Sequence, residues 1–305
     1  MISVENLEKR FDTGQVLHDL SLTVPDGSIY ALIGANGAGK TTVIRHLAGI
    51  LKEDAGTITY DGEPVWENPS LKARIGLIPD ELWFPRKATL KDMSRLYGGL
   101  YAGWDPARFH ELTQLFHLRE DRSLSIFSKG MTKQAAFTLV MAERPDYLLL
   151  DEPIDGLDPI VRRLVWRTIV DDVADRGMTV LVSSHNLKEM EDICDRVGIL
   201  DHGRTLLERD LAEIRDGVTK VQIAFTAEDQ TGWDRLNEAL KGTDVLQMDR
   251  QGSLGFLIIR GKESEVRSIL SPLHPAVLDI IPLTLEDIFI YELGGENDDI
   301  KKLLF

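Results

Sequence analysis

Gly34-Ala35-Asn36-Gly37-Ala38-Gly39-Lys40-Thr41-Thr42 is the stretch on which the reading of this chain turns. It fits G-x-x-x-x-G-K-[ST], the phosphate-binding loop. Ahead of it, Ser28-Ile29-Tyr30-Ala31-Leu32-Ile33 is apolar and partly β-branched, which predicts a buried strand. Behind it, Val43-Ile44-Arg45-His46-Leu47-Ala48-Gly49 has helical spacing. A polyphosphate must lie close to the backbone if successive N–H groups are to reach its oxygens. Glycines at 34, 37 and 39 leave that approach open. The helix starting near Lys40 turns its positive dipole end to the same place. Lys40 is then expected on the β- and γ-phosphates, the Thr41 hydroxyl on Mg²⁺, and Thr42 on a phosphate oxygen. The competing reading is a chance glycine-rich turn. A full match by chance is expected about once in a hundred chains of this length.

Further along, Tyr147-Leu148-Leu149-Leu150-Asp151-Glu152-Pro153 is a run of apolar residues ending in two acids. It predicts a buried strand that delivers carboxylates at its carboxyl end, where ligands gather in an open α/β sheet. Asp151 is expected to hold the water shell of Mg²⁺, and Glu152 to face an attacking water as general base. A strand with an acidic turn is the bland alternative, and it weakens beside a phosphate loop. Met178-Thr179-Val180-Leu181-Val182-Ser183-Ser184-His185 is a similar strand whose terminal His185 would stand at the γ-phosphate edge. Arg74-Ile75-Gly76-Leu77-Ile78-Pro79-Asp80-Glu81 reads as a further buried strand leading to a carboxylate-bearing loop. Val197 to Arg204 predicts a strand and hairpin turn, with His202 on the surface.

The remaining segments fill in around these. Val4 to Leu7 and Leu20 to Val24 predict short strands joined through a turn at Asp12-Thr13-Gly14, and Gly56 to Gly62 predicts another strand and turn. An antiparallel β region thus accompanies the loop. Phe11 in that region is either an ordinary core aromatic or a ring stacked on adenine, with Val16 nearby. From about Leu90 to Leu118 the spacing is helical, broken at Gly103-Trp104-Asp105-Pro106, where a new helix starts. The aromatics Tyr97, Tyr101, Trp104, Phe109 and Phe116 are expected in the core of this helical insertion. Phe127-Ser128-Lys129-Gly130-Met131-Thr132-Lys133-Gln134 then leads into a helix reaching Met141.

The 305 residues leave room for two domains. Hydrophobic residues at 43% and charged residues at 28% are ordinary for a globular protein. A net charge of −15 argues against nucleic acid as the main partner. Cys194 is the single cysteine, read as a small buried hydrophobe, so neither a disulfide nor a Cys/His metal cluster is expected. The amino terminus is charged too early for a signal peptide, and no apolar run approaches the roughly 18–20 residues needed to span a bilayer. A cytoplasmic protein that reaches a membrane through a partner is the expectation.

Taken in order, residues 1 to about 215 resemble the nucleotide-binding subunit of ABC transporters. Gly34 to Thr42 resembles the Walker A element, and Leu148-Leu149-Leu150-Asp151-Glu152 resembles Walker B with its catalytic glutamate. Gly156-Leu157-Asp158-Pro159 resembles the D-loop, His185 the switch histidine, and Phe11 the adenine-stacking aromatic. The family signature is usually Leu-Ser-Gly-Gly-Gln. Here it is Phe127-Ser128-Lys129-Gly130-Met131, a variant similar to that of bacterial exporters of the multidrug and bacitracin types. The resemblance implies that Ser128, Lys129, Gly130 and Met131 bind the ATP held by an opposite protomer. It implies a head-to-tail dimer, homo- or heteromeric, with ATP and Mg²⁺ as cofactors. It implies a separate polytopic membrane permease, which would place the chain peripherally at the inner face of the cell membrane. Two positions depart from the pattern. Asp80 stands where the Q-loop has glutamine; a carboxylate can ligate Mg²⁺ but cannot donate as an amide does. Ile154-Asp155 opens the D-loop where Thr and Ser or Asn are common. Neither removes a hydrolytic residue, so an active ATPase is implied.

The expected fold is a P-loop α/β core with an antiparallel β subdomain and a helical subdomain, at residues 1–217, the helical insertion running from about 88 to 145. Residues 218–305 carry no such motif. Strand-like segments at 219–226, 245–249, 254–260 and 277–282 alternate with helical spacing at 233–240 and 263–270, an order β-α-β-β-α-β that suggests a small ferredoxin-like α+β domain. Leu285 to Tyr291 would close it with a helix, an ending similar to that of the same exporter branch, and Ile300 to Phe305 would fray or pack on a partner. An ABC-type ATPase acting on ribosomes or DNA, and a non-ABC P-loop kinase, are the alternatives. The first usually has two modules or a coiled-coil insertion, and the second leaves Ser128, Gly130 and His185 without a role.

Overall fold

The computed structural model describes residues 1–226, 228–229, 231–285 and 287, with backbone alone at 214–216. The chain divides into two compact units between Glu208 and Arg209. The expected closing helix at 285–291, apart from Leu285 and Asp287, and the segment 300–305 lie outside the described residues.

In the first unit, β1 (Ile2–Phe11) and β2 (Gly14–Val24) pair antiparallel, then β3 (Ile29–Ile33) leads to helix α1 (Lys40–Leu47). β1 and β2 are longer than the short strands expected. Bulges at Val4/Leu7, Leu7/Lys9 and Lys9/Arg10 shift the register, and Asn6 and Asp19 take positive φ. Each bulge breaks the in–out alternation by which a strand is recognised. Next come β4 (Ala55–Tyr60), β5 (Glu63–Pro64), α2 (Pro69–Lys72) and β6 (Ile75–Ile78). A helical segment follows: α3 (Leu90–Leu100), α4 (Pro106–Leu115) and α5 (Lys129–Ala142). Next come β7 (Tyr147–Asp151), α6 (Pro159–Arg176), β8 (Thr179–Ser184), α7 (Leu187–Met190), β9 (Arg196–Asp201) and β10 (Arg204–Asp210), whose last two residues fall past the division.

These strands form two sheets. One is β2-β1-β4-β5, and the other is β10-β9-β3-β8-β7-β6. In the second, β9, β3, β8, β7 and β6 are parallel. Their apolar runs are buried on both faces, as a parallel sheet requires. One apolar core joins Ile2, Leu7 and Leu20 of the antiparallel sheet through Val43, Ile44 and Leu47 of α1 to Leu149 and Leu181 of the parallel one. Burying each such side chain contributes about 1.5–3 kcal/mol, so α1 is held along its length while its first turn faces the strand ends.

The helix starts in the helical segment are side-chain capped. Thr89 and Asp92 form a reciprocal capping box on α3, Asp105 accepts from Ala107 and Arg108 ahead of α4, and Ser128 accepts from the Met131 N–H at α5. Phe109 and Phe116 are buried, as expected of core aromatics. Tyr97, Tyr101 and Trp104 are only half-buried, forming a ring cluster with centroids 5.6 and 6.2 Å apart. Cys194 is buried.

The second unit contains α8 (Leu211–Gly217), β11 (Val218–Ala224), α9 (Gly232–Ala239), β12 (Val245–Gln251), β13 (Leu254–Arg260), α10 (Glu263–Leu270) and β14 (Val277–Ile281). The sheet order is β12-β13-β11-β14, with antiparallel pairing throughout. Val221, Ile223, Leu257 and Ile259 on one sheet face pack with Leu236 of α9 and Val266 and Leu270 of α10.

Candidate functional site

The site forms where β3, β7 and β8 end side by side. Parallel pairing puts Asp151 directly opposite Ser183, and Ile33 opposite Ser184. The groups that follow each strand therefore emerge on one edge. The glycine loop leaves β3 there. Gly34 has no space for a side chain, since a Cβ would stand 2.4 Å from the Leu200 carbonyl oxygen. Gly39 caps α1 in the left-handed region at φ 110°, which an L side chain resists. The first N–H groups of α1 then point into a cleft of about 240 Å³ lined by Val16, Ala35, Asn36, Gly37, Gly39, Lys40, Thr41, Thr42, Asp80 and Glu152. Gly34 and Ala38 support the loop from behind, Ala38 being buried and its carbonyl accepting from the Gly203 N–H at 2.9 Å.

Lys40 is buried at the floor of this cleft. Its Nζ donates to the carbonyls of Gly34 (2.6 Å) and Ala35 (3.3 Å) and lies 3.2 Å from Glu152 Oε1. The other carboxylate oxygen of Glu152 lies 3.0 Å from His185 Nδ1. Glu152 has φ 46°, a left-handed conformation disfavoured for a side-chain-bearing residue. Its N–H donates to Ser183 Oγ (3.1 Å), and Ser183 Oγ donates to Asp151 Oδ1 (2.7 Å). Ser183 thus ties the two acids together. Behind His185, Arg162 of α6 pairs with Glu189 of α7. Burial pushes the Glu189 carboxyl above its usual range, while Arg162 opposes the shift.

Thr41, Asp80 and Asp151 line a second cavity of about 330 Å³ beside the first. A hydroxyl and two carboxylates are hard oxygen donors of the kind Mg²⁺ prefers. Glu152, Asp155 and His185 also bring donor atoms within 4.8 Å of one another, but an imidazole in that set suits Mg²⁺ less well.

Not every residue read from the sequence enters this cleft. Phe11 ends β1, is 39% exposed and is not among the lining residues; Lys9 Nζ stands 5.7 Å over its ring. Ser128, Lys129, Gly130 and Met131 start α5 away from the phosphate loop. There the Lys129 side chain runs past Gly156, 3.7 Å from where its Cβ would be, and a Cβ on Gly130 would come 3.2 Å from the Gly156 carbonyl. Asp158 caps α6 by accepting from the Ile160 and Val161 N–H groups, both at 3.0 Å. His202 is on the surface. Ser183 and Lys133 were not singled out in the sequence. The signal for Ser183 is its place at the end of a buried strand, whereas the contacts of Lys133 depend on how three elements pack.

Among the described residues no helix is long and apolar enough to cross a membrane. Residues 17–155 match the sequence profile of the ABC transporter family. The ABC transporter ATP-binding protein YtrB of Bacillus subtilis (strain 168) is 34% identical over 297 residues, covering 97% of this chain and 99% of that protein. The Nod factor export ATP-binding protein I of Burkholderia lata is 32% identical over 313 residues, covering 98% of each. A solved structure of the ATP binding subunit of an ABC transporter superposes with a TM-score of 0.65 at 29% identity, over 70% of this chain and 92% of that one.

Proposed function

The chain belongs to the family of ABC transporter ATP-binding proteins, and from that premise we propose that it powers an exporter through a separate polytopic membrane permease. It binds and hydrolyses ATP, as the family does. Export is the direction we assign because similar proteins carry the names of Nod factor export and lantibiotic transport ATP-binding proteins. The chain would sit at the inner face of the cell membrane, held there by the permease.

In this reading the loop Gly34 to Thr42 cradles the phosphates, with Lys40 on the β- and γ-phosphates. Phe11 and Val16 hold the adenine. Thr41 and Asp151, with Asp80 beside them, would hold Mg²⁺, whose charge would offset that of the phosphates. Glu152 takes the proton from the attacking water, and His185 holds Glu152 and the γ-phosphate edge in register. Ser128, Lys129, Gly130 and Met131 act on the ATP of the opposite protomer, so two ATPase subunits, identical or related, close head to tail and reopen after hydrolysis. Asp158 fixes the start of α6 at that interface. Residues 1–217 form the ATPase domain in this scheme and residues 218–305 an accessory one.

The observation that carries the reading is a separation. Lys40, Glu152 and His185 lie within 3.0–3.2 Å contacts at one strand edge, while Ser128 caps, and Lys129 to Met131 begin, a helix outside that cleft. A site split in this way fits completion by a second subunit. The test is to tag the chain, solubilise native membranes in mild detergent and identify what co-purifies. A polytopic membrane protein in near-stoichiometric amount is the expected outcome. Recovery of ribosomal proteins alone, across several detergents, would overturn the transport assignment.

A further inference from the structure

Among the described residues, Lys133 is, with Lys40, one of two deeply buried lysines, its side chain 3% exposed. It lies in the first turns of α5, on the helix that Ser128 caps. A buried ammonium is unfavourable unless it is paired, so its partners show what its place in the fold depends on. Nζ donates to the backbone carbonyl of Glu152 at 2.6 Å and stands 3.5 Å from Asp80 Oδ1. These contacts join three elements: α5, the end of β6 and the end of β7.

The contact with Glu152 bears on chemistry. Glu152 holds φ 46°, and such a conformation persists only where the surroundings enforce it. Its N–H is held by Ser183 and its carboxylate faces Lys40 and His185. The carbonyl is the remaining handle, and Lys133 holds it. Resting on the assignment of Glu152 as general base, we propose that Lys133 is a positioning residue for hydrolysis: it fixes the Glu152 peptide in the left-handed turn that aims the carboxylate into the cleft, and its pairing with Asp80 makes that hold depend on where α5 stands. Asp80 is then more than a substitute ligand. It is the acidic partner that keeps the ammonium aimed at the Glu152 carbonyl, so a movement of α5 alters the set of the base. A small displacement of a catalytic group can change rate by as much as about 100-fold, which gives this linkage leverage on turnover without touching ATP.

The test uses the full-length chain with its membrane partner and compares wild type, Lys133→Met, Lys133→Arg, Asp80→Asn and Glu152→Gln. ATP affinity, KM, kcat and thermal midpoint are measured for each. Lys133→Met is expected to lower kcat by at least about tenfold with KM within about threefold of wild type. Lys133→Arg should recover most of the loss, and Asp80→Asn should fall between. In the Glu152→Gln background, Lys133→Met should lower residual hydrolysis no further, because it acts through the missing base. A kcat for Lys133→Met within twofold of wild type, or a full further loss in the Glu152→Gln background, overturns the proposal. If Lys133→Met fails to fold, Lys133→Gln replaces it under the same two criteria. An inactive wild-type complex would instead sink the ATPase reading, a separate result.

Discussion

At the carboxyl ends of β3, β7 and β8 the first unit gathers a lysine, two carboxylates, a serine hydroxyl and an imidazole within hydrogen-bonding reach. In the second unit β11 and β13 run antiparallel and bring together Val221, Ile223, Leu257 and Ile259. The difference follows from strand direction. Parallel strands present their carboxyl ends on one edge, so the turns after them converge. Antiparallel neighbours present opposite ends, and no single edge collects the groups that follow them. The first unit thus has a cleft whose lining is chemistry; the second has a sheet whose buried face is packing. Glu152, at φ 46°, is a side-chain-bearing residue held in the left-handed region beside the cleft.

The sharpest way to break this comparison is Glu152→Gln. The amide keeps the shape and removes the base, so hydrolysis is expected to fall by about 10²–10⁴-fold, with ATP still bound and the closed dimer accumulating. Wild-type turnover in this variant, measured by phosphate release, would remove the first unit's claim to be the chemical one.

What the sequence discloses divides along similar lines. The phosphate loop is legible because its glycine spacing is a motif: Gly39 answers to its own φ, and Gly34 is fixed by the same pattern although the Leu200 carbonyl that crowds it is distant in the chain. The acids at 151 and 152 were legible because a buried strand ending in carboxylates has few other uses. The β1–β2 pair is longer than its sequence suggests because its bulges erase the alternating pattern. Tyr97, Tyr101 and Trp104 are expected in the core yet are half-buried, because helical spacing shows which side chains share a face and not how deeply that face is covered. Lys133 could not be found this way at all. No motif links it to Glu152, 19 residues on, or to Asp80, 53 residues back, and only the packing of α5 against the ends of β6 and β7 brings them together.

A matched pair of cavities sharpens the comparison further. Leu149 in β7 and Leu257 in β13 are both fully buried. Leu→Ala at either is expected to cost about 2–5 kcal/mol of stability in the unit that contains it. The consequences should part company. Leu149→Ala loosens the strand that carries Asp151 and Glu152, so ATPase activity should fall along with the urea midpoint. Leu257→Ala should lower the unfolding midpoint of the second unit while leaving the KM for ATP within about twofold. If Leu257→Ala raised that KM tenfold, the two units could not be treated as having separate roles in nucleotide binding.

The smallest effect concerns an ionisable group in the first unit that has no place in the cleft. Glu143 follows α5, and burial alone pushes its carboxyl up to about 8. The folded chain therefore holds a proton there that the unfolded chain releases in the ordinary carboxylate range. Between that range and about pH 8 the native state binds more protons, so this residue's contribution to stability is fully present at acid pH and declines as pH rises. Glutamine has the shape of the protonated acid and does not titrate. Glu143→Gln should match wild type near pH 4.5 and exceed it at pH 8 by on the order of 2 kcal/mol. Thermal midpoints at the two pH values read this directly, and an equal offset at both would show that the side chain keeps its charge in the fold. Since Glu143 lies outside the strand edge, KM and kcat should change little at neutral pH. A large change in kcat would mean that the helical segment transmits to the cleft through more than the start of α5.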